Sequence, residues 1–321
     1  MIPSISAVIP VFNGEQFIVE AIKSVISQTH SVQEIIIIDD GSTDRSYELA
    51  FGLSKTSPIP IKIFRQKNSG VSVARNFGLL CSSCALIAFL DVDDIWASDK
   101  IKKQILLHSG AENETVFSFC DFYFNSSVEE NRKFFRCPSI YNLLEYQYSK
   151  EDFQCAFINE NFVGTASCIM FNRELALKIN GFNAVMNHSE DFDFILRYSN
   201  HAPVKILNEV LTTKRIHGNN LTGNLRLHFW SHLYALKMNI HSQSRYCRFN
   251  YSEAVLGALR YSHDVYSMKY SNELYEKKPV EGLKSYLKGL FQAKSLKGFR
   301  IISMGLVRKL LRTLTFNRVK R

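Results

Sequence analysis

The chain has 321 residues, 46% of them hydrophobic and 21% charged, with a formal net charge of +9. This is the composition of a globular protein long enough to bury a substantial core, in two domains or in one with an elaborated tail. The charge is local: residues 277–321 hold thirteen Lys or Arg against the single acid Glu281, so the basic balance belongs to the tail and does not itself imply nucleic acid. Seven dispersed cysteines fit reduced thiols better than a disulfide framework. The N-terminus, Met-Ile-Pro-Ser, lacks the charged and apolar regions of a leader, and no run reaches the ~18 apolar residues of a membrane span, so a cytoplasmic location is expected.

Taken in order, residues 6–12 (SAVIPVF) read as a buried strand broken by Asn13-Gly14, and residues 15–28 have the apolar period of a helix with one dry face. Residues 33–38 form a second strand that ends in Asp39-Asp40-Gly41-Ser42-Thr43-Asp44, where Ser42 or Thr43 can cap the next helix. A third strand at 59–64 leads through Asn68-Ser69-Gly70 into a helix over 71–80. The fourth, at 85–90, is a continuous apolar run that delivers Asp91-Val92-Asp93-Asp94. Such runs suit strands covered on both faces, and their alternation with helices predicts a mostly parallel sheet with right-handed crossovers.

Residues 115–148 turn aromatic and read as antiparallel sheet plus loops over the site. Residues 163–171 read as another strand, and 173–180 as a short helix stopped by Gly181. In 187–200, Ser189 is placed to cap a helix whose first turn holds Glu190, Asp191 and Asp193, and residues 204–213 form a strand leading to His217. Residues 226–239 and 252–270 have helical spacing. Residues 295–314 spell a basic amphipathic helix, fit either to lie on an anionic membrane or to pack on the protein with a solvated basic back. Its basic face is interleaved with aliphatics rather than stacking aromatics, so no nucleic-acid partner is expected.

The acids fall where an open α/β sheet binds ligands, at the carboxyl ends of strands. Asp91 and Asp93, on alternate residues, are able to share one hard divalent cation that in turn holds phosphate oxygens; the same residues also suit an ordinary capped loop. Asp39 and Asp40 suit a base and ribose hydroxyls, or a turn. Arg75 suits a phosphate, or the surface. Glu190 and Asp191 suit a general base, or the helix macrodipole. No phosphate-cradling glycine loop of the Walker or dinucleotide type occurs, so nucleotide phosphates would depend on a metal.

Together AVIPVFNGEQF, IIIIDDGSTDRS, NSGVSVARNFGL, IAFLDVDDIW, the SEDFDFILRYS segment and KRIHGNN resemble the family-2 glycosyltransferases of the GT-A fold, over residues 4–220. The resemblance implies a Rossmann-like, mostly parallel sheet flanked by helices, with a helical C-terminal extension over 221–321. It also implies an inverting transferase that uses Mn2+ or Mg2+ and a nucleotide-diphosphate sugar, UDP-sugars being favoured. By the same resemblance, Pro10, Val11, Phe12, Asn13 and Glu15 surround the nucleoside. Asp39 binds the base with Asp40 nearby, and Asn68, Gly70 and Arg75 lie by the base and phosphates. Asp91 and Val92 contact ribose or metal, Asp93 is the direct metal ligand, and His217 stands near the metal or diphosphate. Asp191 is the catalytic base, with Glu190 beside it. Val92 departs from the small residue commoner there.

The resemblance and the tail together imply a saccharide acceptor on a lipid carrier, surface-polysaccharide synthesis, and a peripheral position on the inner leaflet of the cytoplasmic membrane. Two rivals share the apolar strand and Asp-x-Asp: a haloacid-dehalogenase-like phosphatase, disfavoured by Asp94-Ile95 after the pair, and a non-catalytic membrane-surface protein built on the same fold.

Overall fold

The computed structural model describes residues 3–109, 115–125, 132–133, 140, 143–144, 147–159, 161–215 and seven positions between 231 and 239. His217, most of the C-terminal third and the basic helix expected at 295–314 lie outside the described residues. No helix among the described residues is long and apolar enough to cross a membrane. The chain divides into two compact units, Met1–Phe157 with Asn161–Asn220, and Ile158–Glu160 with Leu221–Arg321.

The first unit is α/β. Strands β1 (Ile5–Val11), β2 (Glu34–Asp39), β3 (Ile61–Arg65) and β4 (Leu86–Phe89) pair in parallel in the order β3-β2-β1-β4. Helices α1 (Ile18–Ile26), α2 (Ser46–Ser54) and α3 (Val71–Cys81) make the crossovers. β1, β2 and β4 are buried along their whole length and largely apolar because both faces are covered, whereas the edge strand β3, Ile-Lys-Ile-Phe-Arg, stays partly exposed. Ile5, Ala7, Ile9 and Val11 of β1, with Ile35 and Ile37 of β2, share one core with Ile18, Ala21, Ile22 and Val25 of α1. On the other face α3 lies so close that a Cβ on Gly78 would stand 2.3 Å from Val8 Cγ1.

Beyond β4 the sheet is mixed rather than mostly parallel. β8 (Ile169–Asn172) runs antiparallel to β4, and β6 (Phe117–Asn125) antiparallel to β8. β9 (Val204–Arg215) is parallel to β6, and β5 (Asp94–Trp96) antiparallel to β9; β7 (Arg132–Lys133) pairs with β6. Helices α4 (Lys100–Ile105), α5 (Lys150–Asn159, of which the first unit takes the part up to Phe157), α6 (Arg173–Lys178) and α7 (Glu190–Ser199) complete the unit. An aromatic core joins these elements: Phe182 stacks on Phe194 at 4.3 Å between centroids, and Phe171 packs on Phe89, Phe117 and Tyr198.

Several local expectations are corrected. α1 starts at Ile18, not at residue 15. Neither Ser42 nor Thr43 caps α2; Asp44 Oδ1 accepts from the Ser46 amide at 3.0 Å instead. Ser189 adopts a left-handed conformation, φ 55°, without a side-chain capping bond. The apolar stretch 163–171 is strand only from Ile169, because Gly164 turns at φ 68° and a 3₁₀ turn, Ala166–Cys168, follows it.

At the amino ends of the strands, away from the acids, Glu34 is a buried structural anion. It accepts from Ser6 Oγ at 2.6 Å and from the Ser83 amide at 2.6 Å, and it pairs with Lys62 Nζ at 2.7 Å. Burial works against the charge, yet these donors hold its pKa down from 4.5 to about 2. The folded pKa lies below the unfolded one, so this contribution is complete above about pH 4.5 and is lost as pH falls through about 2. Allowing for the half-exposed lysine, Glu34→Gln should cost about 2–3 kcal/mol at pH 7 by urea unfolding, and less at pH 3.

Candidate active site

The carboxyl ends of β1, β2 and β4 form one edge, and their loops are bonded together there. The Asn13 amide donates to Ser42 Oγ at 3.0 Å, the Gly14 amide to Ser46 Oγ at 2.8 Å, and the Glu15 amide to Asp44 Oδ2 at 3.0 Å. In return Asn13 Oδ1 accepts from the Thr43 amide at 2.8 Å. Asn13 and Glu15 thus use polar groups to join two strand-end loops. Phe12 is 48% exposed at the edge, whereas Pro10 and Val11 lie inside the sheet. Val92 packs against the main core.

Asp39 and Asp40 are both buried. Asp39 is fully buried; its Oδ1 accepts from the Ser42 amide at 2.9 Å and its Oδ2 pairs with Arg65 Nε at 3.0 Å. Asp40 accepts from Gln66 Nε2 at 2.7 Å and from the Ser69 and Gly70 amides at 2.8 and 2.9 Å, which clamps the turn carrying Asn68 and Gly70. Gly70 is required there: φ is +91°, and a Cβ would meet Asn187 Oδ1 at 2.1 Å.

Arg75 is 3% exposed, which excludes the surface alternative. One end donates to Asp91 Oδ1 and the other to Glu190 Oε1, both at 2.6 Å, and Phe89 and Phe182 lie 5.9 and 5.3 Å from the guanidinium. Burial works against the cation, but Asp91 and Glu190 more than offset it and raise its pKa. Burial in turn pushes the Glu190 carboxyl upward, against the pull of Arg75. One guanidinium therefore ties the Asp-x-Asp to the first turn of α7.

The approach of α7 is set by α3. Asn76 exchanges two hydrogen bonds with the Phe182 backbone, at 2.7 and 2.8 Å, and Ser72 Oγ donates to the Met186 carbonyl. Within α7, Asp193 holds Arg197 at 2.8 Å and is nearly buried, so it is structural. Asp191 is partly exposed beside buried Glu190, with Oδ1 accepting from the Phe192 amide at 2.7 Å.

Asp94 is a member of the cluster that the motifs do not single out. It is 1% exposed, and its Oδ2 accepts from Ser167 Oγ at 2.6 Å and Thr165 Oγ1 at 3.0 Å. Burial, then the anions Asp93 and Asp91, push its carboxyl up to about 7. Arg215 Nε donates to the Asp93 carbonyl at 2.7 Å. Only the third acid of the DVDD run hints at this cluster, since its hydroxyl partners lie in what reads as a plain strand.

Comparison with known proteins places this fold and strand-end cluster in context. Residues 6–179 match the model of the family described as "Glycosyl transferase family 2". The chain is 44% identical over 119 residues to an uncharacterized glycosyltransferase of Rickettsia conorii, covering 37% of this chain and 19% of that one. It is 31% identical over 233 residues to the uncharacterized glycosyltransferase EpsJ of Bacillus subtilis, covering 69% and 64%. To the putative teichuronic acid biosynthesis glycosyltransferase TuaG of the same organism it is 35% identical over 120 residues, covering 37% and 47%.

Among solved structures, the mannosyltransferase PcManGT of Pyrobaculum calidifontis, in complex with GDP-Man and Mn2+, is similar at TM-score 0.61 and 16% identity, covering 98% of this chain and 83% of that one. S. aureus TarS 1–349 in complex with UDP-GlcNAc is similar at TM-score 0.55 and 13% identity, covering 95% and 92%. These likenesses give the fold, a GT-A sheet flanked by helices. The family match runs over more than half of the chain and takes in the strand ends carrying Asp39, Asp91 and Asp93 and the helix carrying Arg75. The chain belongs to glycosyl transferase family 2.

Proposed function

We propose that the protein is an inverting, metal-dependent glycosyltransferase that moves a sugar from a nucleotide-diphosphate sugar to a hydroxyl of a saccharide acceptor. The observation that carries this reading is the Arg75 bridge, which brings Asp91 of the Asp-x-Asp and Glu190 of α7 to one edge of a GT-A sheet. Asp191, the next residue after Glu190 and partly exposed, is our candidate base.

A divalent cation suits this turn. Asp91 and Asp93 offer hard carboxylate oxygens on alternate residues, and Asp94 Oδ1 in the same turn is buried without a hydrogen-bond partner. Among the described residues no three His, Cys, Asp or Glu side chains form a complete cage. Asp93 and Asp91 would hold the ion together with donor phosphate oxygens, and His217, outside the described residues, is the further candidate. When bound, the ion supplies positive charge beside the departing diphosphate.

The chain's own groups do the rest. Arg75 keeps Asp91 and Glu190 fixed, Phe12 offers a face to the nucleoside, and Asp191 takes the acceptor's proton as the hydroxyl attacks the anomeric carbon from the opposite side. One displacement inverts the configuration. A UDP-sugar donor is favoured, and Mn2+ or Mg2+ is the expected ion. Likeness to TuaG, named for teichuronic acid biosynthesis, supports a role in polysaccharide assembly, and the basic tail supports an inner-leaflet position with a lipid-linked acceptor. The test is nucleotide affinity with Mn2+ and with chelator: Asp93→Asn should lose most of the metal-linked gain seen in the parent, and a variant that keeps the whole gain removes Asp93 from the metal site.

A further inference from the structure

The turn Asp91-Val92-Asp93-Asp94 packs three carboxyl groups into one bend, and repulsion opposes holding them together. The 3₁₀ turn after Gly164 supplies the hydroxyls that do so. Ser167 Oγ accepts from the Asp91 amide at 2.9 Å and donates to Asp94 Oδ2 at 2.6 Å. Thr165 Oγ1 accepts from the Ser167 amide at 3.2 Å. Its single proton lies between Asp94 Oδ2 at 3.0 Å and Asp91 Oδ2 at 3.2 Å. The segment that carries these hydroxyls is itself anchored: Trp96 Nε1 and Thr212 Oγ1 donate to the Ser167 carbonyl at 2.9 and 3.3 Å, and Lys214 Nζ donates to the Gly164 carbonyl at 2.9 Å.

Thr165, Ser167 and Asp94 are 2%, 0% and 1% exposed, so none of them can reach a bound nucleotide. The geometry points to Thr165 and Ser167 as positioning residues that act through Asp94 and the Asp91 backbone to fix the Asp91–Asp93 turn for a cation and diphosphate. This inference rests on the transferase reading above. Two elements thus hold the Asp-x-Asp from opposite sides. Arg75 of α3 fixes one Asp91 oxygen, and Thr165 faces the other. A turn already set in its binding geometry spends none of the ligand's binding energy on ordering, as hydrogen-bond partners behind metal ligands commonly ensure.

The experiment titrates the full-length protein with UDP, GDP and dTDP, with Mn2+ and then with chelator, in the parent, Thr165→Val, Thr165→Ser and Ser167→Ala. Thr165→Val keeps the shape and removes the hydroxyl. It should weaken Mn2+ affinity roughly 10–100-fold, so that most of the Mn2+-linked gain is lost while affinity in chelator is unchanged, and Thr165→Ser restores most of the gain. Ser167→Ala should act in the same direction, so the inference remains testable if Thr165→Val does not fold. A Thr165→Val protein that keeps the parental gain, or that loses affinity equally with and without Mn2+, overturns the positioning role alone. A parent with no Mn2+-linked affinity for UDP, GDP or dTDP overturns the transferase reading and this inference with it.

Discussion

Asp191→Asn should cut sugar transfer by roughly 10²–10⁴-fold and leave nucleotide affinity essentially at the parental value. The residue sits in the first turn of α7 with one carboxylate oxygen on the Phe192 amide and the side chain partly open to solvent. Asparagine keeps the size and that acceptor and loses the ability to take a proton. Glu190, one residue earlier, is poorly placed to act as the base, because it is buried and its carboxylate is held by Arg75 at 2.6 Å. Nucleotide release coupled to transfer onto the native acceptor checks this directly. A variant that transfers at the parental rate moves the base to another residue.

Arg75→Ala should destabilise the first unit by about 3–5 kcal/mol, because it removes the shared cation and leaves Asp91 and Glu190 facing each other. For a unit of this size that corresponds to a fall in Tm of roughly 6–20 °C. The deficit should depend on pH in a definite sense. The Glu190 carboxyl is already raised by burial in the parent, and without Arg75 it rises further. A raised acid stabilises below its unfolded pKa and loses that contribution as pH climbs, so the variant should recover part of its stability in mild acid and be weakest above neutrality. Arg75→Lys keeps a charge but has no fork to span both carboxylates, and should fall between the two. Equal Tm for Arg75→Ala and parent at pH 8 would leave the bridge without energetic weight.

The legible parts of the sequence are those whose signal is local. Three largely apolar runs announce β1, β2 and β4, because strands covered on both faces favour apolar residues, and the acids at the ends of β2 and β4 mark the edge of the candidate site. The surroundings of Arg75 are not legible in the sequence because its partners lie 16 and 115 residues away; nothing near it shows that it would be buried among two aromatic rings and two carboxylates. Asp39 looks like a free acceptor until Arg65, at the end of the neighbouring strand, is found against it. The stretch from Val163 to Phe171 reads as one strand, and only the positive φ of Gly164 shows that its first half leaves the sheet to carry Thr165 and Ser167. The mixed half of the sheet, where β6 pairs parallel with β9 and antiparallel with β8, rests on long-range pairings that periodicity does not encode.

The most direct test of the central claim is calorimetry of the full-length protein against UDP, GDP and dTDP, each with Mn2+ and again with chelator. A nucleotide-sugar transferase with its cation on Asp93 and Asp91 should bind one of the three with an affinity that falls at least about tenfold in chelator, and that nucleotide names the donor's base. A folded protein that binds none of them, or binds one equally in both conditions, contradicts a metal-dependent donor site at this strand edge.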